Sequence, residues 1–159
     1  MGDRPVKSSK SPSARALEIR EKFSRAIIYA KAVIDTDDEL KAAYGAIAEP
    51  GQSAFNMAFA DYMKAPVFNE EPSFPDYHGE QNATLSVMVT DDFRVESVTF
   101  SILDAEGAEV ESGQAVGTDD NPLWIYQTTT DQTALSEGKI RIVAKDLPGN
   151  ETVAEVDLA

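Results

Sequence analysis

The chain carries two hydrophobic periods, one after the other. Through the first third, apolar residues recur every three or four positions: Ile19, Phe23, Ala26, Ile27, Ala30 and Ile34. That spacing predicts a long helix with one buried stripe, opened near Ala14 by Ser13 as N-cap. "DTDDELKAAYGAIAEPG" restarts the pattern. Asp35 and Thr36 offer N-cap oxygens, and Asp37, Asp38 and Glu39 sit in a first turn, where the helix dipole favours anions. Leu40, Tyr44 and Ile47 mark its apolar face, and Pro50-Gly51 stops it. A third helix, 53–64, presents Phe55, Phe59 and Tyr62 before Pro66.

From Pro66 onward the period becomes two. "PVFNEEPSFPDYHGEQN" holds three prolines and cannot be helical; it reads either as a linker or, through Val67, Phe68 and Phe74, as an irregular edge strand of the next domain. "ATLSVMVT" puts Leu85, Val87 and Val89 on one face. "VESVTFSIL" aligns Val98, Phe100 and Ile102, with Val95 out of step, and "AEVESGQAV" is a weaker strand. "LWIYQTTT" alternates two apolar pairs, Leu123/Ile125 and Trp124/Tyr126, so the pattern leaves open which pair is buried. "KIRIVAK" aligns Ile140, Ile142 and Ala144, and "ETVAEVDL" gives Val153 with a shift to Val156 and Leu158. Turn residues separate these runs: Asp104 to Gly107, "GTDDNP", "SEG" and "DLPGN". Six or seven short strands at such intervals imply an antiparallel sandwich. The expected fold class is therefore α+β, with a three-helix unit followed by an antiparallel sandwich. The expected divisions are a polar, Ser-rich disordered arm over 1–12, a helical domain over 13–65 and a sandwich over 66–159.

The order of motifs adds a family likeness. "VTDDFRVESVTFSILDAEG" followed by "KIRIVAKDLPGNETVAEV" resembles a bacterial immunoglobulin-like (Ig-like) domain. The likeness rests on the acidic pair Asp91-Asp92, the strand from Val95 to Phe100 and the closing hairpin Ala144 to Asn150. It covers about 66–159 and none of the helical part. It implies a binding or spacer module of the kind repeated in surface proteins, although a single copy stands here.

Charge divides the chain at the same place. The total is −14. Residues 1–64 hold ten basic and nine acidic side chains, and 65–159 hold four and nineteen. A basic segment ahead of an acidic body suggests either an interaction tail or simple internal charge complementarity. Arg20, Lys22, Arg25 and Lys31 are accordingly the residues by which nucleic acid would be met; the acidic half would repel it. "GQSAFNMAFADYMKAP" resembles the opening of an HMG box but lacks that family's dense lysines and tryptophan.

Candidate chemistry is sparse. The chain has no cysteine and one histidine, His78, which excludes thiolate and multi-histidine metal sites. No phosphate-binding glycine motif or nucleophile elbow occurs, so a non-enzymatic role is expected. Asp91, Asp92, Asp146 and Asn150 lie at turns that a sandwich can bring to one end, which makes them the candidate calcium ligands. The alternative is that these side chains cap their own turns. Phe55, Phe59, Tyr62 and Trp124 are the candidate partner-binding residues, for a protein partner or self-association. No run approaches the roughly 18 to 20 apolar residues that span a bilayer, so no membrane role is expected. The N-terminus lacks the apolar region of a secretory signal, which predicts the cytoplasm; the family likeness keeps a cell-surface or appendage location as the alternative.

Overall fold

The computed structural model describes residues 13–118, 121–132 and 137–158. The expected arm over 1–12 lies outside them. The chain divides into two compact units, Met1–Met63 and Lys64–Ala159.

The first unit contains α1 (Ala14–Thr36), α2 (Asp38–Ile47) and α3 (Ala54–Met63). Ser13 caps α1 as expected, its hydroxyl accepting from Ala16 N. The cap of α2 is Asp37, whose carboxylate accepts from Leu40 N at 2.9 Å. Asp35 and Thr36, expected in that role, instead complete α1, and the Thr36 hydroxyl donates back to Ala32 O. Ser53 precedes α3 and accepts from Asn56 N.

The buried side of α1 is Ala26, Ala30 and Val33. Ile19, Phe23 and Ile27, placed by their period in the buried stripe, are exposed by 53%, 49% and 39%. The reason is length. At 1.5 Å per residue, α1 spans about 34 Å and each ten-residue neighbour about 15 Å. Two short helices cannot cover a long one from end to end.

The second unit has eight strands: β1 (Val67–Phe68), β2 (Thr84–Thr90), β3 (Val95–Leu103), β4 (Glu109–Gln114), β5 (Val116–Thr118), β6 (Asn121–Gln127), β7 (Lys139–Asp146) and β8 (Glu151–Asp157). They form two antiparallel sheets, ordered β1-β2-β6-β5 and β4-β3-β7-β8. With strands lettered in chain order, this is ABED facing C′CFG, the immunoglobulin arrangement.

Leu85, Val87, Val89 and Tyr126 from one sheet meet Val98, Phe100, Ile102, Ile140, Ile142 and Ala144 from the other in one core. The out-of-step Val95 is accommodated by a register shift between Val95 and Ser97 opposite β7, and it packs against that core. In β6 the ambiguity resolves to Trp124 and Tyr126 inward, paired with Val87 and Leu85. In β8 Thr152, Ala154 and Val156 are the half-buried positions and Val153 is exposed, the reverse of what was expected of Val153.

Candidate functional site

The closing hairpin shows how its turn uses the acid. Asp146 is wholly buried, and its Oδ1 accepts from Gly149 N at 3.0 Å and Asn150 N at 2.7 Å. Asn150 Nδ2 donates to the other oxygen at 3.0 Å. Gly149 has φ +104°, a conformation glycine accepts at no steric cost. Of the four candidate calcium ligands, Asp91 and Asp146 come together, with one oxygen of each within 4.8 Å. Asp92 points elsewhere and meets Lys64 Nζ at 3.0 Å. Asp91 Oδ2 accepts from Phe93 N. Burial, partly offset by the Asn150 and Gly149 hydrogen bonds and reinforced by the Asp91 charge, holds the Asp146 carboxyl above the ordinary aspartate range.

A second carboxylate is buried where the pattern predicted only a weak strand. Glu111, on β4, accepts through Oε2 from the Tyr126 hydroxyl at 2.5 Å, from Thr129 N at 3.0 Å and from the Thr129 hydroxyl at 3.1 Å. Its Oε1 accepts from Thr130 N at 3.2 Å. Burial opposes ionisation of Glu111, but these bonds prevail and hold it below the ordinary glutamate range. One carboxylate thereby ties an edge strand to the segment following β6. An acid in "EVESG" carries no sequence sign of this role, because its partners lie 15 to 19 residues away.

A groove of about 310 Å³ runs along β2, between Ser73–Tyr77 with Glu80 on one side and Thr84–Ser86 on the other. Tyr77 is buried, and burial followed by the charges of Glu111 and Glu80 pushes its phenol up to about 12. Glu80 accepts from the backbone N–H of His78, and the bonds from backbone groups hold it below the ordinary range.

Of the aromatic candidates, Trp124 is half-buried against the sandwich core, its indole lying over Gly117 of the neighbouring strand. Phe59 meets Phe23 edge-on at 4.8 Å between ring centres. Tyr62 lies 5.5 Å from the Tyr29 ring, and Phe55 is half-buried. The contacts Phe23–Phe59 and Tyr29–Tyr62 run α1 and α3 in the same direction. Beside Phe59 stands the exposed row Ile19, Phe23, Ile27, at spacings of four along α1.

The basic candidates do not form one stripe. At 100° per residue, Arg20 and Lys31 share one side of α1, and Lys22 and Arg25 another. Arg25 pairs with Glu21 at 3.8 Å. Among the described residues, no helix is long and apolar enough to cross a membrane.

No protein-family model and no curated protein matches the chain. Solved structures do. CopC from Methylosinus trichosporium OB3b is similar at 17% identity, covering 50% of this chain and 76% of that one, with a TM-score of 0.39. Titin M4 is similar at 21% identity, covering 59% and 93%, with a TM-score of 0.39. The titin domains Z1Z2, solved in complex with telethonin, are similar at 18% identity, covering 60% and 47%, with a TM-score of 0.37. These are distant likenesses, and the Ig-like assignment rests on the strand order itself.

Proposed function

We propose that this chain is a non-enzymatic binding module in which the sandwich is a rigid support and the helical unit offers the interaction surface. The observation that carries this is the exposed row Ile19, Phe23 and Ile27. Burying a Phe or Ile side chain contributes about 1.5 to 3 kcal/mol, so a row of half-exposed ones favours being covered.

The occupant that fits is a second copy of the chain. Arg20 and Lys31 border the row, while Glu18, Glu21 and Arg25 fall on the opposite side of α1. Residues 65–159 carry nineteen acids against four bases, so the acidic unit of a second copy answers the charge of this face. Light scattering across a concentration series tests this. The wild-type chain is expected to associate, and Ile19→Asp with Ile27→Asp, which spare the Phe23–Phe59 contact, to return a monomer of unchanged helicity. A strict monomer at high concentration for the wild type overturns it.

A further inference from the structure

The free edge of β2 is the feature that the helical surface does not use. Along this strand, odd residues turn their backbone groups to β6: Ala83 O accepts from Thr128 N, and Ala83 N donates to the Thr128 hydroxyl. Even residues turn theirs the other way, as Met88 O accepts from Asn69 N. Thr84 and Ser86 therefore present N–H and C=O groups to the β1 side. But β1 is two residues long and pairs only with Val89 and Thr90. Among the described residues, no backbone or side-chain hydrogen bond reaches the groups of Thr84 and Ser86 on that side.

An unpaired edge is usually blunted by charge or cover. The β8 edge illustrates this, with Glu151, Glu155 and Asp157 projecting along it. The β2 edge instead opens into the groove whose far wall is Ser73–Tyr77. That wall carries Asp76, with Glu80 beside it, and Glu80 is held ionised by its backbone hydrogen bonds. The unit around it holds nineteen acids against five bases from Lys64 onward.

We infer that this groove takes an extended, basic peptide segment of a partner protein, which adds as a strand to β2 at Thr84–Ser86 and sets a Lys or Arg side chain against Asp76 and Glu80. Main-chain pairing supplies the affinity and the two carboxylates the charge selection. This inference is independent of the helical row, which lies on the other unit.

The full chain tests it directly. The probe is a fluorescein-labelled six-residue peptide alternating Lys and Val, followed by polarisation, with amide exchange monitored by NMR. The Lys/Val peptide is expected to bind at least ten-fold more tightly than a Glu/Val peptide and than a Lys/Val peptide N-methylated at alternate amides. Its addition should slow exchange at the Thr84 and Ser86 amides. Asp76→Asn with Glu80→Gln should weaken binding about three- to ten-fold and flatten its salt dependence. Ser86→Pro, which removes one edge donor, should abolish binding while the melting transition persists. If that variant fails to fold, the N-methylated peptide carries the same test. Binding indifferent to N-methylation, protection confined to another edge or to α1, or no binding at millimolar peptide each overturns the proposal.

Discussion

The hydroxyl of Tyr44 donates to Asp61 Oδ2 at 2.6 Å, joining α2 to α3 inside the helical unit. The Tyr29 hydroxyl lies 2.7 Å from that of Tyr44, which brings α1 into the same chain of hydrogen bonds. Burial, then the bonds to Asp61 and Tyr29, push the Tyr44 phenol well above its ordinary value. Tyr44→Phe keeps the ring and removes the donor to a buried carboxylate. A loss of about 1.5 to 3 kcal/mol is expected, by the worth of a hydrogen bond to a charged group. Urea unfolding followed by helical ellipticity measures it, and a change below a few tenths would show the chain to be dispensable.

Glu111 predicts how the sandwich responds to acid. Its folded value lies below the ordinary 4.5, so the folded chain holds its proton less tightly than the unfolded chain does. The resulting stabilisation is complete above the ordinary value and is lost as pH falls through the folded one. In Glu111→Gln this component of the pH dependence should vanish. At neutral pH the variant should lose about 1 to 3 kcal/mol, since an amide group would face one of the N–H or O–H donors. Denaturation curves of both proteins across the acid range give the comparison.

Asp146 has the opposite sign. Its folded value is raised, by burial first and by Asp91 among the lesser causes. Its contribution is present below the ordinary 3.8 and lost as pH rises through the folded value. Asp91→Asn should therefore lower the Asp146 value only part of the way, since burial remains. Carboxyl carbon shifts in an NMR titration report this, and an unmoved Asp146 would mean the two acids do not sense each other.

Gly113 lies against the Tyr126 ring. A Cβ there would stand 2.7 Å from Cε2 and 3.1 Å from the hydroxyl oxygen. The ring cannot swing aside, because it stacks on Phe100 at 5.2 Å and its hydroxyl is bound by Glu111. Gly113→Ala should cost about 1 to 3 kcal/mol. Against a Tyr126→Leu background the same change should cost less, a coupling that a double-mutant cycle of melting transitions resolves.

Much of the fold was legible because local rules wrote it. The switch from period four to period two marked the change from helices to strands. Ser13, Pro50-Gly51 and the Asp146 to Asn150 turn each acted through their own backbone, as their residue types predict. Even the bulge at Val95 was visible as a fault in alternation. For the candidate sites the sequence supplied residue types without partners. It put Asp91, Asp92, Asp146 and Asn150 at turns, and the structure brought Asp91 to Asp146 and turned Asp92 to Lys64.

The sequence by itself determined element order, turn chemistry, the charge divide and the alternation of the strands, since each depends on residues within a few positions of one another. Only the tertiary structure decided which surfaces are covered. It set Trp124 and Tyr126 inward rather than Leu123 and Ile125, left Ile19, Phe23 and Ile27 exposed, and left the β2 edge open beyond a two-residue β1. It also joined Tyr44 to Asp61 and Glu111 to Tyr126 across 17 and 15 residues. A period states that a helix or strand has an apolar side. Whether a neighbour is long enough, or near enough, to bury that side depends on segments remote in the chain, and no local pattern encodes their reach.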